Sequence, residues 1–202
     1  MYVIAVTGGI GSGKTLACRH FAERGAIVLS LDDIAHQSIA PGQPAYDRIV
    51  ERYGPGVLDG SGRIDRGALA ALVFEDDAEV QAINRIVHPS VLKEVVEGIT
   101  SLRLMERPPA VVVIEVPLLA EAPVFADVVD TVLAINAPAD VRMRRCAEAG
   151  MDPLDASRRI ARQATDEERA ELARHVIDNS GTVEEFLGKL DAYWEEVAPR
   201  GT

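Results

Sequence analysis

The stretch GGIGSGKT at residues 8–15 decides how this chain is expected to fold. It satisfies the pattern G-x-x-x-x-G-K-[ST] and follows a short apolar run at residues 3–6. Glycines let the backbone wrap around a phosphate with its N–H groups pointing inward, and a helix beginning near Gly13 would add its positive end. Lys14 is expected to reach the β- and γ-phosphates, and Thr15 to place its hydroxyl on Mg²⁺. The sequence therefore predicts a nucleotide site between the first strand and the first helix.

Four further short apolar runs are typical of buried strands, at residues 26–29, 111–114, 131–135 and 176–177. Segments of helical character separate them, and strands that alternate with helices favour a parallel sheet with right-handed crossovers. We expect an α/β protein with a three-layer P-loop NTPase fold built on a five-stranded parallel sheet.

Two segments are longer than a single crossover requires. Residues 40–108 contain turn signals and two or three helical stretches, and residues 138–172 are rich in arginine and alanine. Ligands of open α/β sheets bind at the carboxyl edge, so we expect the first segment to be a helical substrate-binding insertion and the second a helical lid. The whole chain is expected to be a single domain, with its core at residues 1–39, 109–137 and 173–198.

Composition limits the kinds of partner. The chain has 202 residues and a formal net charge of −11, and a surface so acidic repels nucleic acid. No apolar run approaches the roughly 20 residues of a membrane span, and no basic leader precedes the first strand. Cys18 and Cys146 form no closely spaced pair and are expected to be thiols in a reducing compartment. We expect a cytoplasmic protein that binds neither membranes nor nucleic acid.

The phosphate-binding stretch alone leaves the reaction open. A GTPase would need an N-K-x-D guanine-binding motif, which the sequence lacks. An oligomeric ATPase usually has Asp-Glu after its third strand, where this chain has Glu115-Val116-Pro117. A small-molecule kinase is favoured. A nucleoside or nucleotide kinase and a regulatory ATPase without a small-molecule acceptor remain as alternatives.

A carboxylate for the acceptor hydroxyl follows the second strand. Phosphoryl transfer to an alcohol benefits from a carboxylate that orients the hydroxyl and takes its proton. Asp32 is the candidate for this role. Either Asp32 or Asp33 could instead be the N-cap of a helix that begins near Ile34.

Several motifs in this order resemble the dephospho-CoA kinase family, over residues 1 to about 190. Besides the stretch at 8–15, they are SLDDIAH at 30–36, His88-Pro89, PLLAE at 117–121, RIARQ at 159–163 and IDNSG at 177–181. The resemblance implies a transferase that moves the γ-phosphate of ATP, with Mg²⁺, to the ribose 3′-hydroxyl of dephospho-CoA and so completes coenzyme A.

The resemblance also implies roles for individual residues. Lys14, Asp32 and Arg144 would be catalytic, and Thr15 would bind the metal. Contacts to ATP would come from Gly9, Gly11, Ser12, Gly13, Lys14, Thr15, Leu16, Arg144, Arg159 and Asn179, with Asn179 near the adenine. The acceptor would be contacted by Asp32, His88, Pro117 and Leu118.

Three residues depart from the family pattern. Ser30 replaces the first Asp of a D-A-D motif, Glu148 stands where the family tends to have an arginine, and Arg174 replaces an acidic residue. With Glu148 in that place, the lid could use Arg145 instead. Two of these motifs could instead have a purely structural role. The arginines of 138–172 could form a solvated helix face, and His88-Pro89 could simply end a helix. Glu115 could hold a metal-bound water or merely end its strand.

Overall fold

A computed structural model of the chain describes residues 1–73, 76–117, 119 and 123–198. Its strands are β1 Tyr2–Thr7, β2 Ile27–Ser30, β3 Val111–Val116, β4 Thr131–Asn136 and β5 His175–Asp178. Its α-helices are α1 Lys14–Glu23, α2 Leu31–Ser38, α3 Pro44–Tyr53, α4 Arg66–Val73, α5 Asp77–Arg103, α6 Ala139–Glu148, α7 Pro153–Arg162, α8 Asp166–Leu172 and α9 Val183–Val197. Short 3₁₀ helices lie at Pro55–Val57 and Pro123–Val128.

The five strands form one sheet in the order β2-β3-β1-β4-β5, and every pairing is parallel. β1 is the central strand, with Val6 opposite Glu115 of β3 on one side and Leu133 of β4 on the other. The predicted five-stranded parallel α/β fold is confirmed. Because β1 is central, the chain that leaves its carboxyl end lies between the ends of two neighbouring strands.

The apolar runs lie in strands, and their side chains are buried, as expected for a parallel sheet covered by helices. Residues 3–6, 111–114 and 132–135 are almost completely buried. Alternate residues of β1, β3 and β4 pack with α1 and α9 in one cluster, whose largest helical members are Phe21, Phe186, Leu190 and Tyr193. This cluster fixes the position of α1, and therefore of the segment between β1 and α1.

The chain divides into two compact units, residues 1–30 with 101–202 and residues 31–100. The sheet and helices α6 to α9 belong to the first unit. The second unit is mainly helical and has its own apolar core, made by Ala45, Ile49, Val57, Ile64, Leu69, Val73 and Ile86. The roles expected for residues 40–108 and 138–172, as insertion and lid, stay predictions.

Two of the alternatives that the sequence left open are wrong. Helix α2 begins at Leu31 rather than near Ile34, so Asp32 and Asp33 lie in its first turn and neither is an N-cap of a helix starting at Ile34. Pro89 lies inside α5 instead of ending a helix. An internal proline removes one backbone hydrogen bond, but α5 packs Ile86 and Val91 into buried positions on either side of it, and this packing offsets the loss. Across the described ranges, no helix is both long and apolar enough to cross a bilayer.

Candidate active site

The segment between β1 and α1 forms a backbone cradle. Gly13, the N-cap of α1, has φ 105° and no side chain with which to cap the helix. A Cβ at this position would also overlap Nδ2 of Asn179. The first N–H groups of an α-helix have no partner within the helix, and a helix start without a side-chain cap is a common binding site for anions.

A cavity of about 270 Å³ lies against this cradle within the first unit. It is lined by Gly9, Gly11, Gly13, Lys14, Thr15, Leu16 and Arg145. All but Arg145 are among the residues predicted to bind ATP. Ser12, also predicted, is instead buried, and its carbonyl accepts a hydrogen bond from Asn179 Nδ2 at 2.7 Å. The cavity thus combines backbone N–H groups, a lysine, a hydroxyl and an arginine.

A hydroxyl and a carboxylate meet at one corner of the cradle. Thr15 Oγ1 donates a hydrogen bond to Glu115 Oε1 at 2.9 Å. Among the described residues, no three or more His, Cys, Asp or Glu side chains are grouped as a metal site. Mg²⁺ is nevertheless usually held by one or two protein oxygens together with substrate phosphates and water, so the pair Thr15 and Glu115 fits this ion.

Cys18 lies close to this corner but is chemically inert. Burial, with a smaller contribution from the charge of Glu115, raises the pKa of its thiol to about 12. A thiol with so high a pKa stays protonated at neutral pH and is a poor nucleophile. Because Mg²⁺ prefers oxygen ligands, the oxygen atoms of Thr15 and Glu115 are the relevant donors there.

Asn179 joins the end of β5 to the cradle. It is only 4% exposed, its Nδ2 donates to Ser12, and its Oδ1 accepts a hydrogen bond from Arg145 Nη2 at 3.3 Å. Its backbone N–H donates to the Asn136 carbonyl at 2.7 Å, which fixes it at the carboxyl edge of the sheet. Asn179 therefore supports the cradle backbone, and its predicted contact with adenine stays a prediction.

The arginines of α6 lie on two faces of the helix. Arg142 and Arg145, three residues apart and so on one face, both contact the cradle. Arg142 Nε donates to the Ile10 carbonyl at 2.9 Å, and Arg145 Nη1 donates to the Gly11 carbonyl at 3.4 Å. Arg144 has a 64% exposed side chain whose Nε lies 3.8 Å from Glu148 Oε1 on the same helix. Sequence reasoning missed Arg142, although its i, i+3 spacing from Arg145 is visible in the sequence.

The other predicted residues lie elsewhere. Arg159 is 58% exposed and pairs with Asp155 at 3.0 Å, one turn away on α7. Asp32 and His88 belong to the second unit. Asp32 is exposed in the first turn of α2. Burial lowers the pKa of the His88 imidazole. Pro117 follows β3, and Leu118 lies outside the described residues. Their roles toward the acceptor stay predictions.

Comparison with known proteins identifies the relatives of this chain. The sequence profile of the dephospho-CoA kinase family matches residues 2–185. The chain belongs to the dephospho-CoA kinase family. A dephospho-CoA kinase of Leifsonia xyli subsp. xyli is 42% identical over 195 residues, which are 96% of this chain and 98% of that protein.

Solved structures agree with this assignment at the level of the fold. The crystal structure of TT1252 from Thermus thermophilus has a TM-score of 0.79 and 31% identity, and the match covers 98% of both chains. A dephospho-CoA kinase from Campylobacter jejuni has a TM-score of 0.72 at 21% identity, covering 97% of this chain and 96% of that one. The predicted family and the predicted class, a small-molecule kinase, are confirmed. As a kinase family, the dephospho-CoA kinases use ATP as substrate.

Proposed function

We propose that this protein transfers the γ-phosphoryl group of ATP to the ribose 3′-hydroxyl of dephospho-CoA, giving coenzyme A and ADP, the final step of coenzyme A synthesis. One observation carries the proposal: in a chain that matches the family almost throughout, Lys14 and Thr15 line one cavity beside the P-loop cradle, and the Thr15 hydroxyl is hydrogen-bonded to Glu115. This arrangement has the parts that phosphoryl transfer requires, which are mainly positioning and charge stabilisation.

Phosphate binding depends on the cradle. The N–H groups at the start of α1 and the Lys14 ammonium bind the β- and γ-phosphates, and the Leu16 N–H binds the α-phosphate. As the bond to the γ-phosphorus lengthens, negative charge spreads over the transferring group and the leaving oxygen. Fixed donors already aimed at these atoms stabilise that charge with little reorganisation.

The proposed metal site is the pair Thr15 and Glu115. Thr15 would hold Mg²⁺ through its hydroxyl oxygen, and Glu115 would hold it directly or through a water molecule. The ion would supply positive charge next to the β- and γ-phosphate oxygens. Of the two side chains, Glu115 has the greater effect on charge, because its carboxylate supplies the negative charge that the ion prefers.

The acceptor half of the mechanism rests on Asp32. Its carboxylate accepts the proton of the 3′-hydroxyl as the new O–P bond forms, and the β–γ bridging oxygen leaves with ADP. His88, Pro117 and Leu118 are proposed to contact the acceptor within the substrate-binding insertion at 40–108 and after β3. These roles are proposed because each residue stands in a motif that resembles one of the dephospho-CoA kinase family.

Arginines of α6 and α7 are proposed to supply the cation over the transferring group. Arg144 is the candidate from the sequence, together with Arg159, whereas the position of Arg145 in the cavity wall supports Arg145.

Asn179 is proposed to contact the adenine in addition to holding Ser12. The segment 138–172 would then close as a lid over ATP. A location in the cytoplasm also stays a prediction.

The proposal is tested by measuring ADP release with Mg-ATP, with and without acceptor. We expect release to depend on dephospho-CoA, and adenosine, AMP, cytidine and shikimate to give much lower kcat/KM. Coenzyme A should not act as acceptor, because its 3′-oxygen already bears phosphate. ADP release independent of any acceptor would indicate an ATPase, and a preference for AMP or cytidine would indicate a nucleoside or nucleotide kinase.

A further inference from the structure

Both polar atoms of the Ile10 peptide backbone are bound by side chains from a distant part of the chain. The Ile10 N–H donates to Gln163 Oε1 at 2.9 Å, and the Ile10 carbonyl accepts from Arg142 Nε at 2.9 Å. Arg142 Nη2 also donates to Gln163 Oε1 at 3.0 Å. The three residues therefore form a closed ring of hydrogen bonds, in which one side-chain oxygen accepts from two donors.

Ile10 lies between two glycines at the tip of the cradle. Gly9 and Gly11 flank it, and glycine backbones have the widest conformational freedom. The Ser12 N–H donates to the Gly9 carbonyl at 3.1 Å, and the ring adds contacts from outside the tip to this hydrogen bond. The Arg142 guanidinium also lies so close to Gly9 that a Cβ there would overlap it. Without the ring, a phosphate would have to order this tip on binding, and that ordering would cost affinity.

The ring is continuous with an ion pair between a buried arginine and a partly exposed aspartate. Arg142 is 5% exposed, and its Nη1 lies 3.9 Å from Asp166 Oδ1. Asp166 also pairs with Arg169, which is 4% exposed. Loss of this carboxylate would leave a buried guanidinium without its partner, which is costly. Arg142 is therefore held in one orientation, with its Nε and Nη2 donors directed at the Ile10 carbonyl and Gln163.

We propose that Arg142 and Gln163 are positioning residues that hold the tip of the phosphate cradle, Gly9 to Gly11, in the conformation that binds nucleotide. They act through the backbone of Ile10 and not by touching phosphate. The inference rests on the proposed function only in taking the nucleotide to be ATP. Both residues lie between positions 138 and 172, so their hydrogen bonds to Ile10 also attach that segment to the cradle at two points.

Gln163→Met tests the proposal, because methionine has a similar length but offers no strong acceptor to the Ile10 N–H. Gln163→Glu retains an oxygen at the same place and is the conservative variant. Gln81→Met, on the exposed surface of α5, is the matched control. The dissociation constant of a non-hydrolysable ATP analogue is measured calorimetrically with Mg²⁺, alongside KM for ATP, kcat and the thermal midpoint.

We expect Gln163→Met to raise the dissociation constant and KM for ATP about 10-fold, with a smaller change in kcat, since loss of the hydrogen bond from the Ile10 N–H is by itself worth roughly that factor. Gln163→Glu and Gln81→Met should stay within about threefold of the wild type. A folded Gln163→Met protein that binds the analogue like the wild type would overturn the proposal. So would a loss in Gln163→Glu equal to that in Gln163→Met, since the acceptor oxygen would then be irrelevant.

Arg142→Lys provides a second variant if Gln163→Met does not fold. It keeps the charge opposite Asp166 but removes the two-pronged contact with Ile10 and Gln163, and the same weakening of nucleotide binding is expected. A lowered thermal midpoint with unchanged nucleotide affinity would show a merely structural role and contradict the proposal. If wild-type protein binds the analogue but does not phosphorylate dephospho-CoA, the proposed function fails while this inference is still tested.

Discussion

The Thr15 hydroxyl donates a 2.9 Å hydrogen bond to the Glu115 carboxylate, across 100 residues of sequence. The two come together because β3 pairs with β1: Glu115 lies opposite Val6, close to where β1 ends and the cradle begins. Sheet register therefore places an acidic oxygen beside the P-loop hydroxyl. This pair is the structural basis of the proposed metal site.

The first prediction concerns this pair. Glu115→Gln removes the negative charge while keeping the shape of the side chain, so the Mg²⁺ concentration that gives half-maximal rate should rise about 10- to 100-fold. The measurement is a Mg²⁺ titration of the initial rate at saturating ATP. Glu106→Gln, at an exposed position, is the control and should titrate like the wild type. An unchanged titration in Glu115→Gln would remove Glu115 from the metal site.

The second prediction concerns Lys14. Lys14→Ala removes a cation from the wall of the cavity, and kcat should fall on the order of 10²–10³-fold because charge stabilisation is lost in the transition state. Circular dichroism and the thermal midpoint should stay close to those of the wild type. Lys93→Ala, whose side chain is 74% exposed on α5, should leave kcat unchanged. A folded Lys14→Ala enzyme with near-normal kcat would rule out the proposed phosphate role.

The third prediction separates the two aspartates of α2. Asp32→Asn should lower kcat on the order of 10²–10⁴-fold and leave ATP affinity intact, as expected when a general base is lost. Asp33→Asn should leave kcat nearly intact and cost at most about 1–2 kcal/mol of stability, because it removes a favourable charge in the first turn of a helix. If Asp33→Asn gave the large loss of kcat and Asp32→Asn did not, the base would be Asp33.

The fourth prediction compares two neighbouring arginines. Arg145 lines the cavity and contacts Gly11 and Asn179, whereas Arg144 is exposed and pairs with Glu148. We expect Arg145→Ala to lower kcat/KM for ATP by at least about 10-fold, and Arg144→Ala to have the smaller effect. Steady-state kinetics with varied ATP decide the comparison. A larger loss in Arg144→Ala would mean that Arg144 reaches the nucleotide in the catalytic complex.

Much of the fold could be predicted because its signals are local. The apolar runs predict all five strands to within a few residues, and the motif at 8–15 places the cradle between β1 and α1. Parallel pairing then follows from the alternation of strands and helices. The order of the motifs along the chain also predicts the family, and the match of the family profile to residues 2–185 confirms it.

What could not be predicted depends on contacts between distant residues. The face of α6 that contacts the cradle is set by helix phase, and a difference of one residue separates Arg144 from Arg145. The side chains that bind the backbone of Ile10 and Ser12 come from Gln163 and Asn179, which no local pattern links to the cradle. The start of α2 and the passage of α5 through Pro89 likewise depend on tertiary packing, which overrides local preference.

The central claim is tested most directly by identifying the product made from dephospho-CoA and Mg-ATP. The account predicts stoichiometric ADP and a product with the mass of coenzyme A, whose new phosphate is assigned to the ribose 3′-position by ³¹P and ¹H NMR. It also predicts a kcat/KM for dephospho-CoA far above that for adenosine or AMP, because remote binding energy positions the reacting hydroxyl. A phosphate at another position, or a clear preference for a different acceptor, would contradict the account.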